Sequence, residues 1–149
     1  MLAQAVCYLL NETASKLINK EEGYSDKDAW NYSAGIRLRQ LAMIHSAYFT
    51  FDSFRESVVL EKREKIKEIT NDLCILFGIS AIMNGTVNSA ILEGGFLTAE
   101  QIDSLHELKE ILLKKLRPDL IGIVDGFGLP EKYYRSALIR GNPYEVLSL

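Results

Sequence analysis

Apolar side chains recur at steps of three and four along most of this chain, and nowhere do they alternate with polar ones at a step of two. Leu41, Ile44, Tyr48, Phe51, Phe54 and Val58 step by 3, 4, 3, 3 and 4, which puts all six on one side of an α-helix. The same period runs through Leu2, Val6, Leu9, Leu10, Thr13 and Leu17, giving a first helix over roughly Leu2 to Asn19, closed by Gly23. Three prolines in 149 residues leave room for long uninterrupted elements. Ser25 with Asp28 three residues on reads as a helix start. The second helix is expected from about Lys27 to Leu60, with Gly35 inside it as a point of kinking or interruption, at a cost of about 1 kcal/mol relative to Ala.

Glu61-Lys62-Arg63-Glu64-Lys65-Ile66-Lys67-Glu68 reads as a solvated helix face rather than a phosphate or CoA contact, with Glu61–Lys65 and Glu64–Lys67 as pairs one turn apart. The third helix continues to about Met83 with Ile66, Ile69, Leu73, Leu76 and Phe77 inward, and Asn84-Gly85 stops it. A short apolar piece, Ala90-Ile91-Leu92, precedes Glu93-Gly94-Gly95. Thr98-Ala99-Glu100-Gln101 is a capping box. It opens a helix with Ile102, Leu105, Leu108, Leu112 and Leu116 inward and the Glu110–Lys114 pair outward, ending at Arg117-Pro118. The run Leu120 to Val124 is too short to assign by period. Leu129-Pro130-Glu131 opens a short helix through about Leu138, and Arg140-Gly141-Asn142-Pro143-Tyr144 is a turn. These segments predict an all-α fold: one domain over residues 1–149, an up-and-down bundle of three or four long helices with short C-terminal ones.

Charge and composition exclude several function classes. The net charge of −3 and pI near 5.4 lack the basic excess of a nucleic-acid binder. The start of the chain has no basic leader segment and no apolar run approaches the ~18 residues of a membrane span, so a soluble, intracellular protein is expected. Cys7 and Cys74 have no further Cys or His at metal-ligand spacing and read as two buried free thiols.

Catalytic groups are sparse. Nucleophile-elbow, Walker A, zinc-protease and dinucleotide motifs are absent, and Gly94-Gly95 alone is a turn signal. Asp103, His106 and Glu110 share a helix face opposite the leucine stripe, where solvent exposure is preferred to a metal site. His45 reads as a boundary histidine rather than a general base. Asp125, at the end of an apolar run, reads as a structural hydrogen-bonding carboxylate. Tyr48, Phe49, Phe51 and Phe54 read as core rather than an acyl groove. From its residues the chain is a helical module without a complete active site.

The order of several segments carries a resemblance. Leu116-Arg117-Pro118-Asp119-Leu120-Ile121-Gly122-Ile123-Val124-Asp125-Gly126-Phe127 resembles the Arg-Pro-Asn-Ala-Val-Ala-Leu-Val-Asp-Ala-Phe segment of peroxisomal acyl-CoA oxidases. Leu92 to Gln101 resembles that family's Gly-(x)-(Ile/Leu)-Thr-x-x-Gln loop and helix start, and Ile44-His45-Ser46-Ala47-Tyr48-Phe49 its Ala-His-Cys-His-Tyr helix. Ser136 to Glu145 is similar to its Ser-x-Leu-Gly-Arg-Tyr-Asp-Gly-Asn-Val-Tyr-Glu segment. The four lie in the family's order and together span nearly the whole chain.

The resemblance implies the C-terminal helical domain of a larger FAD enzyme that converts acyl-CoA to trans-2-enoyl-CoA with release of hydrogen peroxide. The catalytic glutamate and most flavin contacts would belong to preceding parts of that polypeptide. The chain alone is then inactive, holds no cofactor or metal, and contributes packing and homodimer contacts. Arg140, Gly141, Asn142 and Tyr144 are the implied interface or active-site-proximal residues. Two departures stand out: Ile139 replaces the family's Gly, and the Tyr-Asp between Arg and Gly is missing. The resemblance also implies the peroxisome, although Leu147-Ser148-Leu149 is not a peroxisomal Ser-Lys-Leu signal; otherwise the cytoplasm is expected. The alternative is a free-standing, non-catalytic helical interaction protein derived from that domain, which would not expose a large apolar patch.

Overall fold

The computed structural model describes residues 1–19 and 22–128, and every regular element among them is helical. In chain order these are α1 (Leu2–Ile18), α2 (Asp26–Asp28), a π-helical turn (Ala29–Ser33), α3 (Gly35–Leu60), α4 (Glu64–Ile82), α5 (Gly85–Glu93), α6 (Ala99–Leu116), a 3₁₀ turn (Arg117–Asp119) and α7 (Leu120–Asp125). The chain divides into two compact units, one from Met1 to Lys115 and one from Leu116 onward. The all-α bundle expected from the hydrophobic period is the architecture found.

In the first unit α1 packs along α3, and α5 fits against both. Their shared core is Leu2, Ala5 and Leu9 from α1, Ile44 from α3, and Val87, Ala90 and Ile91 from α5, joined by Leu97. Ile102 and Leu105 bring the first turns of α6 onto the same cluster, as do Leu41, Tyr48 and Phe51 of α3. The buried Thr13 hydroxyl donates to the Leu9 carbonyl oxygen at 2.6 Å, so its polarity is satisfied inside α1. In the second unit, Leu120 to Val124 resolves as helix.

Both expected helix starts are present. The Asp28 amide donates to Ser25 Oγ, and the Ser25 amide to Asp28 Oδ2, each at 3.2 Å. The Thr98 amide donates to Gln101 Oε1 at 3.0 Å and the Gln101 amide to Thr98 Oγ1 at 3.3 Å. Each box ties two otherwise orphaned amides. The helix expected from Lys27 to Leu60 is interrupted, as Gly35 suggested, but the break is a π turn that ends just before that glycine.

Three expectations need correction. Residues 85–93 form a helix, not a short apolar piece, because Asn84 does two jobs: it follows the last turn of α4, and its Oδ1 accepts from the Thr86 amide at 3.3 Å to start α5. Gly94-Gly95 then closes α5. Gly95 takes φ +66°, its amide donates to the Leu92 carbonyl, and the Phe96 amide donates to the Ile91 carbonyl, each at 3.0 Å. This is a Schellman closure, which needs a residue tolerant of the left-handed region. On α4 the deepest residues are Cys74, Gly78 and Ile79, while Ile66 is exposed. Ile66 lies in the first turn of α4.

The third correction concerns residues 61–63, which are not helical. Glu61 therefore cannot form a one-turn pair with Lys65. Its carboxylate folds onto the joint instead, accepting from the Lys62 and Arg63 amides at 2.9 Å and from Arg63 Nε and Nη2 at 3.0 and 2.9 Å. The Arg63 side-chain and amide bonds pull the Glu61 pKa from its ordinary 4.5 down to about 2. A depressed carboxylate pKa stabilises the fold above its unfolded value, and that contribution disappears as pH falls through the folded one. Side-chain NMR of Glu61 is expected to show a midpoint near pH 2; a midpoint in the ordinary carboxylate range means the α3–α4 joint does not hold this conformation.

On the other side of α4 the nearly buried Asp72 receives Lys115 of α6 at 2.7 Å, and Lys115 also reaches Glu68 at 3.1 Å. The hydrogen bonds to Asp72 and then Glu68 raise the Lys115 pKa. The expected Glu110–Lys114 pair forms on the outer face of α6 at 3.8 Å.

Candidate functional site

The residues with chemical potential lie apart. His106 is exposed, as expected, with Asp103 and Glu110 also facing solvent. His45 is exposed rather than at the core boundary, although it directly follows the buried Ile44. Among the described residues no group of three or more His, Cys, Asp or Glu side chains could hold a metal ion. Asp125 is exposed, so its carboxylate does not serve a buried network; its backbone carbonyl accepts from the Gly128 amide at 2.9 Å. Among the described residues no helix is by itself long and apolar enough to cross a membrane.

The two thiols differ. Cys74 is buried and burial raises its pKa, with the Arg55 charge opposing. Cys7, expected to be buried, is exposed, since Leu2, Ala5 and Leu9 take the inward side of α1. A thiol-alkylating reagent applied to the folded protein is expected to modify Cys7 and spare Cys74, because the thiolate is the reactive form and needs access. Both should react after denaturation; equal rates in the folded state would contradict the placement of Cys74.

Of the aromatic set, Tyr48 and Phe51 pack on the core and Phe54 is partly buried, whereas Phe49 is 67% exposed on the outer face of α3. Two shallow grooves are lined mainly by apolar atoms. One, of about 300 Å³, runs between Met43 and Ala47 of α3, Phe77 and Ala81 of α4, and Val87 of α5. The other, of about 470 Å³, lies over α1 between Ala3, Cys7 and Tyr8 and the Phe96 ring. Phe96 meets Tyr8 edge to face, with centroids 6.1 Å apart. This arrangement suits recognition of an apolar surface. It brings together no acid–base pair and no phosphate cradle among the described residues.

Two further exposed aromatic residues lie in the π turn. Trp30, the chain's one tryptophan, is 54% exposed and Tyr32 75%. The turn is anchored by the buried Ala29 and Ala34, whose backbones bond five residues apart at 2.9 Å. Sequence reasoning missed it, since neither aromatic belongs to a stripe. Arg140, Gly141, Asn142 and Tyr144 lie outside the described residues, as do the helix expected from Leu129 to about Leu138 and the turn after it.

Comparison with known proteins supports the resemblance found in the segments. Residues 1–147 match the family model described as acyl-CoA oxidase. The chain is 32% identical over 130 residues to peroxisomal acyl-coenzyme A oxidase 2 of Rattus norvegicus, covering 85% of this chain and 19% of that protein. It is 30% identical over 142 residues to peroxisomal acyl-coenzyme A oxidase 1 of Bos taurus, covering 93% and 21%. It thus spans about one fifth of the length of these relatives. The crystal structure of acyl-CoA oxidase-1 of Caenorhabditis elegans in an apo form superposes with a TM-score of 0.88 at 26% identity, over 99% of this chain and 23% of that one. A match across almost the whole sequence, on the same helical architecture, places this chain in the acyl-CoA oxidase family.

Proposed function

We propose that this chain is the C-terminal helical domain of a peroxisomal, FAD-dependent acyl-CoA oxidase, and that its role there is packing and homodimer formation rather than chemistry. The observation that carries this reading is the family match over residues 1–147 by a chain one fifth as long as its relatives. In the complete enzyme a carboxylate base would take the α-proton of an acyl-CoA and the β-hydride would leave with its electron pair, giving the trans-2-enoyl-CoA. FAD, when bound, supplies the hydride acceptor and passes the two electrons to oxygen, which leaves as hydrogen peroxide. The described residues suit neither proton abstraction nor flavin binding. Asp72, the buried carboxylate among them, is held by Lys115, and the Gly94-Gly95 turn is spent closing α5. What they supply is a set of packed helices with exposed apolar side chains such as Leu10 and Phe49.

Leu10 on α1, Phe49 on α3 and Ile111 on α6 are large, apolar and exposed, but single side chains of this kind also occur on free-standing proteins, so the size of the gene product is what separates this reading from the free-standing alternative. The test is the complete gene product isolated from its source. A mass several-fold above 16.8 kDa, with bound flavin and acyl-CoA-dependent peroxide, is expected. A product of 16.8 kDa without flavin would overturn the reading.

A further inference from the structure

α6 is held unevenly along its length. Its first turns carry Ile102 and Leu105 onto the core shared by α1, α3 and α5, and the Thr98–Gln101 box fixes its start. The middle is looser, with Leu108 39% exposed and His106 and Glu107 in solvent. Toward the end Leu112 is buried, and Lys115 crosses to Asp72 at 2.7 Å and Glu68 at 3.1 Å on α4. The other side-chain polar contacts along α6, Ser104 with the Glu100 carbonyl and Lys114 with Glu110, stay inside the helix. The polar tie to α4 is therefore Lys115, and the two ends of that tie differ in access. The Lys115 side chain is 51% exposed and the Asp72 side chain 11%. Withdrawing the cation leaves a nearly buried carboxylate without its partner, which costs more than losing an exposed pair.

We propose that α6 is a strap that opens from its C-terminal end, with Lys115 as the latch. When the contact with Asp72 breaks, the stretch from about Leu108 to Lys115 leaves α4 while Ile102 and Leu105 stay seated. Two turns of helix without tertiary support do not persist in water, so the released stretch frays instead of swinging out as a rod. The contact between α3 and α4 takes no part in this. Cys74 lies about 200° around α4 from Asp72, one turn before the Gly78 that faces Phe51 of α3, and it stays covered when the strap opens. Opening of this kind is local, at a lower free energy than global unfolding. The half-exposed ammonium also makes the latch responsive to the medium, since salt screens it where the bulk of the core is indifferent. None of this depends on the enzyme assignment.

Hydrogen exchange read by peptide mass spectrometry on the complete gene product tests the strap, together with alkylation of Cys74. Lys115→Gln is expected to speed exchange roughly tenfold in peptides covering 108–115, with peptides of α1 and α5 unchanged and Cys74 still protected. The double variant Asp72→Asn with Lys115→Gln should recover part of the slow exchange, because no orphaned charge remains. Raising potassium chloride to about 1 M should speed the same peptides in the parent and leave the double variant unmoved. Unchanged exchange in Lys115→Gln would overturn the proposal. So would faster exchange spread over α1 and α5, or a Cys74 that becomes reactive along with 108–115, since either would mean that Lys115 supports the whole fold and not one end of one helix. A double variant that exchanges as fast as Lys115→Gln would remove Asp72 from the latch and overturn it as well.

Discussion

Ile44→Ala should lower the unfolding free energy by about 2–5 kcal/mol, the range for deleting a buried aliphatic side chain when the surroundings close only partly over the space. Ile44 is fully buried at the middle of α3, among Leu9 of α1 and Ile91 of α5, which are the other large side chains with no exposure. Three helices meet there, so no single one can move in without leaving the other two. Denaturant unfolding measures the loss. A second substitution, Phe49→Ala on the opposite side of the same helix, serves as the comparison, because its ring is already in solvent in this chain. A loss below about 1 kcal/mol for Ile44→Ala would mean that the core can collapse into the gap, and that α1, α3 and α5 are less firmly seated than their shared burial implies.

Gly78→Ala sets two effects of opposite sign against each other. Alanine gains about 1 kcal/mol over glycine inside a helix. At this position, however, a Cβ would stand 2.8 Å from Cε2 and 3.1 Å from Cδ2 of Phe51. Phe51 belongs to the core-facing side of α3, so its ring cannot turn away without opening that contact. Overpacking of this kind costs about 1–3 kcal/mol, and the steric term should prevail: the variant is less stable than the parent. Combining it with Phe51→Leu should recover part of the loss, giving a non-additive pair. A more stable Gly78→Ala protein would show that the α3–α4 spacing is not fixed by this ring.

What the sequence disclosed and what it hid follow from the range of the interactions involved. Ser25–Asp28 and Thr98–Gln101 are closed within four residues, so the chain itself specifies them. The stripe from Leu41 to Val58 was legible because α3 packs along one side over most of its length. α5 escaped because Asn84-Gly85 carries two local meanings, stop and start, and only tertiary contact with α1 and α3 decides between them. The thiols show the same limit: Cys7 and Cys74 both sit in apolar stretches, and the angle around each helix, not the neighbouring sequence, put one outside and one inside. Family membership was readable from four short segments, since it depends on their order and not on burial. The exposed aromatics of the π turn were hidden because exposed and buried aromatics have the same spelling, and only the fold shows Ala29 and Ala34 buried with Trp30 and Tyr32 outside.

The bond from the Ala34 amide to the Ala29 carbonyl oxygen encloses one residue more than an ordinary helical turn. The extra residue acts as a spacer, much like a shim between two rods. Removing it would allow α2 to run into α3 as a continuous helix, and each residue before the deletion would swing about 100° around the axis, the angle of one helical step. Trp30 would then leave its present bearing although every side chain remained the same. The direction of this surface is therefore stored in the number of residues between Asp28 and Gly35, and length variation there would alter what it meets more than substitution would.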